Sequence, residues 1–279
     1  MTSSIERRKA VIFLFIAAAL WSTGGILVRV LDWQPVAILA GRSIFSAILF
    51  AVYLRRFPRK FTRWQLMAAG GYISMQFCFV SAVKLTTVAN AIFLQYTAPL
   101  YIIFLGYWLL HEKPTRMDWV SMVIIFAGLL LFFRDDLSLD GYAGNILAVL
   151  SGVTMAFMMV GMRAQKNGNP AESILLANVV TAVVGFPFVW QQSWTPINWA
   201  ILAYLGFIQI GLSFLLYSIA IKHIPALESV LIGTLEPILS PLWVFLLIGE
   251  KPGPLALVGA GVVLVGVVTN AVASASSEK

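Results

Sequence analysis

The chain has 279 residues, of which 60% are hydrophobic and only 11% charged. A soluble domain carries roughly 25% charged residues, so a water-soluble fold of this size is excluded and most of the surface is expected to face lipid. The formal net charge of +7 sits in short basic clusters between apolar runs, the pattern of membrane-protein loops rather than of a nucleic-acid surface.

A spanning helix needs about 20 mostly apolar residues, and the chain offers ten such runs: 10–31, 35–54, 64–84, 87–110, 116–133, 141–163, 171–190, 197–221, 225–248 and 254–273. Glu6-Arg7-Arg8-Lys9 followed by an apolar run has the outline of a signal peptide, but the run continues to about Leu31, too long for a cleaved segment, and reads as a retained first span. Short breakers separate the runs, among them Asp32-Trp33-Gln34-Pro35, Glu112-Lys113-Pro114, Asn167-Gly168-Asn169-Pro170 and His223-Ile224-Pro225. The alternating ten-residue segments of a β-barrel do not appear. With the N-terminus inside, fourteen Lys and Arg fall on the inner side, including Arg55, Arg56, Arg59, Lys60 and Arg63; only Lys84, Arg134 and Lys251 fall outside. Arg29 and Arg42 lie within spans. This bias predicts that both termini are cytoplasmic. Cys78 is the single cysteine, so no internal disulfide is possible.

A shift of 138 positions lays the chain on itself without a gap: Lys84 on Lys222, Pro99 on Pro237, Glu112-Lys113-Pro114 on Glu250-Lys251-Pro252 and Gly128 on Gly266. Apolar runs match by chance, but paired Glu-Lys-Pro triplets mark an internal repeat. Five spans per half is odd, so the second half must enter the membrane from the opposite side. The expected fold is an all-α membrane protein of ten transmembrane helices, arranged as two inverted five-helix repeats over 1–138 and 139–279. Inverted repeats place substrate near the midplane where the halves meet.

The stretches AVKLTTVANAIFLQYTAPLYIIFLGYWLLHEK and AIKHIPALESVLIGTLEPILSPLWVFLLIGEK resemble the two signature regions of EamA-type carriers in the drug/metabolite transporter superfamily. Glu236-Pro237, Gly249-Glu250, Leu20-Trp21-Ser22 and Arg42 fit the resemblance, which covers all ten spans. The first copy departs from the pattern with Ala98-Pro99 in place of Glu-Pro and with His111 where a glycine is usual. The chain is also similar to the YddG-type amino-acid exporters within the family. The resemblance implies a secondary transporter exporting amino acids, aromatic ones included, or related metabolites; a drug or nucleotide-sugar carrier is the alternative within transport, and a membrane enzyme or sensor subunit the alternative outside it.

Enzyme signals are absent. Gly161 to Gly168 has neither the spacing nor the Lys-Ser/Thr ending of a phosphate loop, and His111 and His223 lack metal-ligand spacing. No cofactor and no metal are expected. The expected partners are a small-molecule substrate and the lipid bilayer, with the chain acting as a monomer in the bacterial inner membrane.

Glu236 is the one carboxylate about halfway along a span, and an ionisable group there is costly. A coupling role and a structural role beside the helix-breaking Pro237 both stand open, as they do for the equivalent Pro99. Glu228 reads as an interfacial or gate residue, aligned with Asn90. Arg42 lies two turns from Pro35, roughly 10 Å along a helix, where snorkelling and anion binding explain it equally. Asn90, Phe93, Thr97 and Tyr101 recur at three- and four-residue steps and share a face, and Gln76 and Phe79 lie three apart. With Trp21, Gln209 and Tyr217, these residues predict a cavity in which rings hold an apolar side chain and amides fix polar ends. Phe93 aside, the expected substrate contacts are thus Trp21, Gln76, Phe79, Asn90, Thr97, Tyr101, Gln209 and Tyr217.

Overall fold

Threonine and proline set where the helices begin. Thr62 and Thr115 each cap a helix while the third residue on, Gln65 or Asp118, bonds back to the cap nitrogen. Thr87 and Thr195 cap two more, and Pro35 and Pro196 occupy the first helical position, where no amide donor is needed. The structure is a computed structural model that describes residues 2–24, 27–28, 31–55, 61–135, 137, 140–248 and 253–276. Its helices are α1 (Thr2–Ser22), α2 (Pro35–Leu54), α3 (Arg63–Leu85), α4 (Val88–Leu110), α5 (Arg116–Phe133), α6 (Tyr142–Ala164), α7 (Ala171–Trp190), α8 (Pro196–Ala220), α9 in two pieces (Ala226–Gly233 and Leu235–Ile248) and α10 (Pro254–Ser276). Among the described residues there is no strand. Arg29, Arg56, Arg59, Lys60, Asp136 and the segment 249–252, with its second Glu-Lys-Pro triplet, lie outside the described residues.

Eight of these helices, α2 to α8 and α10, are long and apolar enough to cross a membrane. The other two have physical reasons to fall short: α1 carries Glu6-Arg7-Arg8-Lys9 near its start, and α9 is divided at Thr234. At one end of the bundle Trp33, Trp190, Trp194 and Trp199 form a chain of ring contacts 5.1–5.9 Å apart, the kind of aromatic belt that sits at a membrane–water interface.

Helix pairing is direct: α3 lies along α6, α5 along α10 and α2 along α7, while α1 packs on the last turns of α8 and on α9, and α4 on α6. The α5–α10 seam shows why small residues are needed. A Cβ placed on Gly128 would stand 2.7 Å from Val263 Cγ2 and 2.8 Å from the Val263 nitrogen, closer than packed atoms can come, so the backbones touch through glycine as in other membrane helix pairs.

Three helices depart from regular geometry. Helix α4 breaks at Tyr96-Thr97 and then widens into a π turn at Gly106–Leu110. Helix α8 is π-helical from Leu205 to Leu212. The break in α9 at Thr234 falls 138 positions after Tyr96, and each break precedes its proline by three residues. Proline removes the donor to the carbonyl four residues back; for Pro237 that carbonyl belongs to Gly233.

Candidate functional site

The carbonyl released by Pro237 is taken up across the bundle. Tyr96, fully buried at the α4 break, has its hydroxyl 2.9 Å from the Gly233 oxygen and 2.9 Å from Glu236 Oε2. A tyrosine hydroxyl owns one proton. With one proton and two acceptors in reach, the phenol can donate to the Gly233 carbonyl or to Glu236 Oε2, and a protonated Glu236 would let both contacts be hydrogen bonds at once. The two helix breaks are thus joined through one phenol, which reaches both the freed Gly233 carbonyl and Glu236. Pro99 and Pro237 are both buried beside this junction.

A second group of polar and aromatic side chains collects where the end of α1 meets α2, α3 and the π segment of α8. Trp21 lies 4.9 Å from the Phe214 ring and 5.8 Å from the Tyr217 ring, and Tyr72 lies 5.0 Å from Phe214. Gln209 Nε2 donates to the Trp21 carbonyl at 3.2 Å, and the Ser22 hydroxyl accepts from Trp243 of α9 at 2.8 Å. Two polar atoms in this group, Trp21 Nε1 and Gln209 Oε1, are buried and have no hydrogen-bond partner among the described residues. Arg42 reaches in from α2 and donates from Nη2 to Gln76 Oε1 at 3.0 Å. Gly206 lets α8 press against the backbone of α2 here, because a Cβ there would strike the Arg42 carbonyl. A π segment at such a junction is the distortion that often marks functional positions.

The structure therefore brings together four of the residues singled out in the sequence, Trp21, Gln76, Gln209 and Tyr217, the last bonded to Ser229 at 3.0 Å. It separates others from them. Phe79 packs with Ala82, Ala91, Ala148 and Leu94. Asn90 donates to Asn145 Oδ1 at 2.9 Å near the start of α4. Thr97 bonds back to the Leu94 carbonyl at 2.6 Å, and Tyr101 packs at the edge of the main apolar core. Tyr72, Tyr96, Phe214 and Trp243 were not singled out; their only signal in the sequence was an aromatic residue within a span, which is common to many positions. Arg42 carried a stronger one, being ionisable inside a span.

The two ends of the bundle are tied differently. At the end rich in Lys and Arg, Arg7 Nη2 meets Glu228 Oε1 at 2.5 Å with the side chains 8% and 2% exposed. Arg163 pairs with Glu112 at 2.7 Å and donates to the Ile221 and Lys222 carbonyls at 2.8 Å each. Gln65 donates to Glu172 at 2.6 Å. A surface cavity of about 560 Å³ opens here, with Trp64, Gln165, Asn169, Glu172 and Lys222 in its wall. At the opposite end neutral ties are found among the described residues: Thr86 and Asn90 both donate to Asn145, and Tyr204 donates to Thr23 at 3.2 Å.

Distorted spanning helices, a glutamate bonded between two helix breaks and unmatched polar atoms among buried rings define a class, the polytopic helical membrane proteins. The chain belongs to the EamA-like transporter family, whose model matches residues 8–134 and again 142–272. It is similar to the threonine/homoserine exporter RhtA of Escherichia coli (strain K12), 22% identical over 199 residues, which are 68% of this chain; the match spans 64% of that exporter's length. It is 24% identical over 260 residues to an uncharacterized transporter of Archaeoglobus fulgidus, covering 91% of this chain and 93% of that one. A solved crystal structure superposes with a TM-score of 0.81 at 20% identity, covering 97% of this chain and 99% of the other; at that identity the likeness speaks for the fold alone.

Proposed function

We propose that this protein is an amino-acid exporter of the bacterial inner membrane, with ten spans in two inverted halves (1–138 and 139–279), both termini cytoplasmic, working by alternating access. The observation that carries the reading is the group formed by Trp21, Gln76, Gln209 and Tyr217, where rings adjoin buried polar atoms that lack partners, a chemistry suited to an amphipathic solute. The relationship to an exporter of threonine and homoserine supports amino acids as the class.

Three features support two inverted halves. The helix pairs α2–α7 and α5–α10 each map onto themselves when the halves exchange, and α3–α6 maps onto α8–α1. The breaks in α4 and α9 are 138 residues apart. Arg7 and Glu228, in contact at one end, align by the same shift with Asn145 and Asn90, in contact at the other. Exchange of conformation between such halves opens one side and then the other.

Counterflow in liposomes with purified protein and a panel of labelled amino acids tests this. Accumulation of at least one amino acid without ATP is expected, and Trp21→Ala and Gln76→Ala should abolish it while Leu130→Ala, on the exposed face of α5, should not. Normal counterflow in both site variants would move the substrate elsewhere. Glu236 is the candidate proton carrier: Glu236→Gln can still donate to Tyr96, so it should keep the fold yet transport at a rate independent of pH. A wild-type pH profile in that variant would leave Glu236 a structural role only.

A further inference from the structure

We propose that Arg42 is the anchor for a carboxylate, which makes the substrate of the site an amphipathic carboxylate rather than any amphipathic solute; this rests on the reading of the Trp21–Gln76–Gln209–Tyr217 group as the substrate site. The Arg42 side chain belongs to a residue only 6% exposed, on a spanning helix. Of its five N–H donors, one is used, on the neutral amide of Gln76, and Arg42 forms no ion pair among the described residues. Among the described residues no carboxylate of the surrounding helices lies beside it. Helices α2, α3 and α8 contain neither Asp nor Glu, and the only acid of α7 is Glu172 in its first turn, bonded to Gln65 near the start of α3, at the far end of the bundle.

Snorkelling would send the guanidinium to the headgroups, yet here it turns inward to Gln76. A buried charge without a partner is costly, and a protein that keeps one in its interior gains when a ligand of opposite sign arrives. The planar guanidinium fork matches a carboxylate with two parallel bonds. A phosphate dianion would call for further cations close by, and the other cations of the surrounding spans, Arg63 and Lys84, sit at the two ends of α3. The remaining unmatched atoms fit the other end of an amino acid: Gln209 Oε1 is an acceptor for an ammonium group, Trp21 Nε1 is a second donor for the carboxylate, and the Trp21, Phe214 and Tyr217 rings offer an apolar wall.

The test compares wild type, Arg42→Met and Arg42→Lys as purified protein. The probes are L-threonine, L-phenylalanine, their carboxyl amides, and 3-phenylpropionate, which has a carboxylate and no amino group. The readouts are thermal midpoint with and without probe, and transport in liposomes. Wild type should prefer each acid over its amide by roughly 10- to 100-fold, the span of a charge-assisted buried contact. Arg42→Met should bring that ratio to within about threefold, and Arg42→Lys should keep part of it, since a point charge replaces a fork. Without ligand, Arg42→Met should melt no lower than wild type, because an uncompensated charge has been removed. Stabilisation by 3-phenylpropionate that depends on Arg42, with no response to either amino acid, would uphold the carboxylate anchor and reject the amino-acid reading. An unchanged acid-to-amide ratio in Arg42→Met, loss of its ligand-free stability or folding, or a wild type with no preference for any acid in the panel would each overturn the assignment.

Discussion

The two halves put different chemistry at the same place. Arg7 and Glu228 bind at the basic end; 138 positions along, Asn145 and Asn90 bind at the other. The first pair is a buried ion pair, and the second is two amides sharing a carbonyl with Thr86. The repeat keeps the contact and changes its strength. A neutral hydrogen bond contributes about 0.5–1.5 kcal/mol net, whereas separating a buried ion pair exposes two charges to an interior that cannot solvate them. Arg163 adds to the inequality by clamping Glu112 and two carbonyls at the end of α8. Among the described residues the basic end is therefore the more strongly tied, and the proposed transport cycle predicts that it is the harder one to open.

The largest expected effect comes from breaking that pair on one side only. Arg7→Met leaves Glu228 buried and should lower stability by about 3–5 kcal/mol, while adding Glu228→Met should restore most of the loss. Unfolding of the purified protein measures it, and losses that simply add would mean the two residues act separately. At the neutral end, Asn145→Ala removes the carbonyl that Asn90 and Thr86 share, while Asn90 still donates to Thr86 and Thr86 to the Asp140 carbonyl, so the cost should be about 1 kcal/mol. A loss equal to that of Arg7→Met would erase the distinction between the ends. The smallest effect concerns His111, whose φ of 58° is left-handed and whose repeat-equivalent is Gly249. His111→Gly should stabilise by at most ~1 kcal/mol, because glycine adopts that conformation without a Cβ clash. A loss of stability would show that the imidazole makes a contact worth more than the strain.

What could be read from the sequence was whatever repeats or acts locally. The doubled Glu-Lys-Pro triplets gave the period of 138, and Pro237 was read as helix-breaking, where α9 divides. Glu236 beside Pro237 was read as a group that could bond a freed backbone carbonyl or a neighbouring helix; the structure gives the carbonyl to Tyr96 and leaves Glu236 bonded to the same phenol. Pairings between distant helices were out of reach. Nothing in a single sequence joins Tyr96 to Gly233, Arg42 to Gln76 or Arg163 to Glu112, since each depends on which faces meet. Gln76 and Phe79 illustrate the limit. Three residues apart, they were expected to face one way, but α3 is wedged between α2 and α6, and a rotation of about 60° around the helix gives Gln76 to Arg42 and Phe79 to the small residues of α4 and α6.

The inequality of the two ends is tested most directly by the accessibility of the site between them. Gln209→Cys on a Cys78→Ser background, in oriented membrane vesicles, would be exposed to an impermeant thiol reagent from one side at a time, with and without Arg163→Ala. The account predicts labelling only from the side away from the Arg163–Glu112 clamp when the clamp is intact, and labelling from both sides once Arg163 is removed. Labelling from the clamped side in the intact protein, or one-sided labelling that Arg163→Ala leaves unchanged, would contradict it.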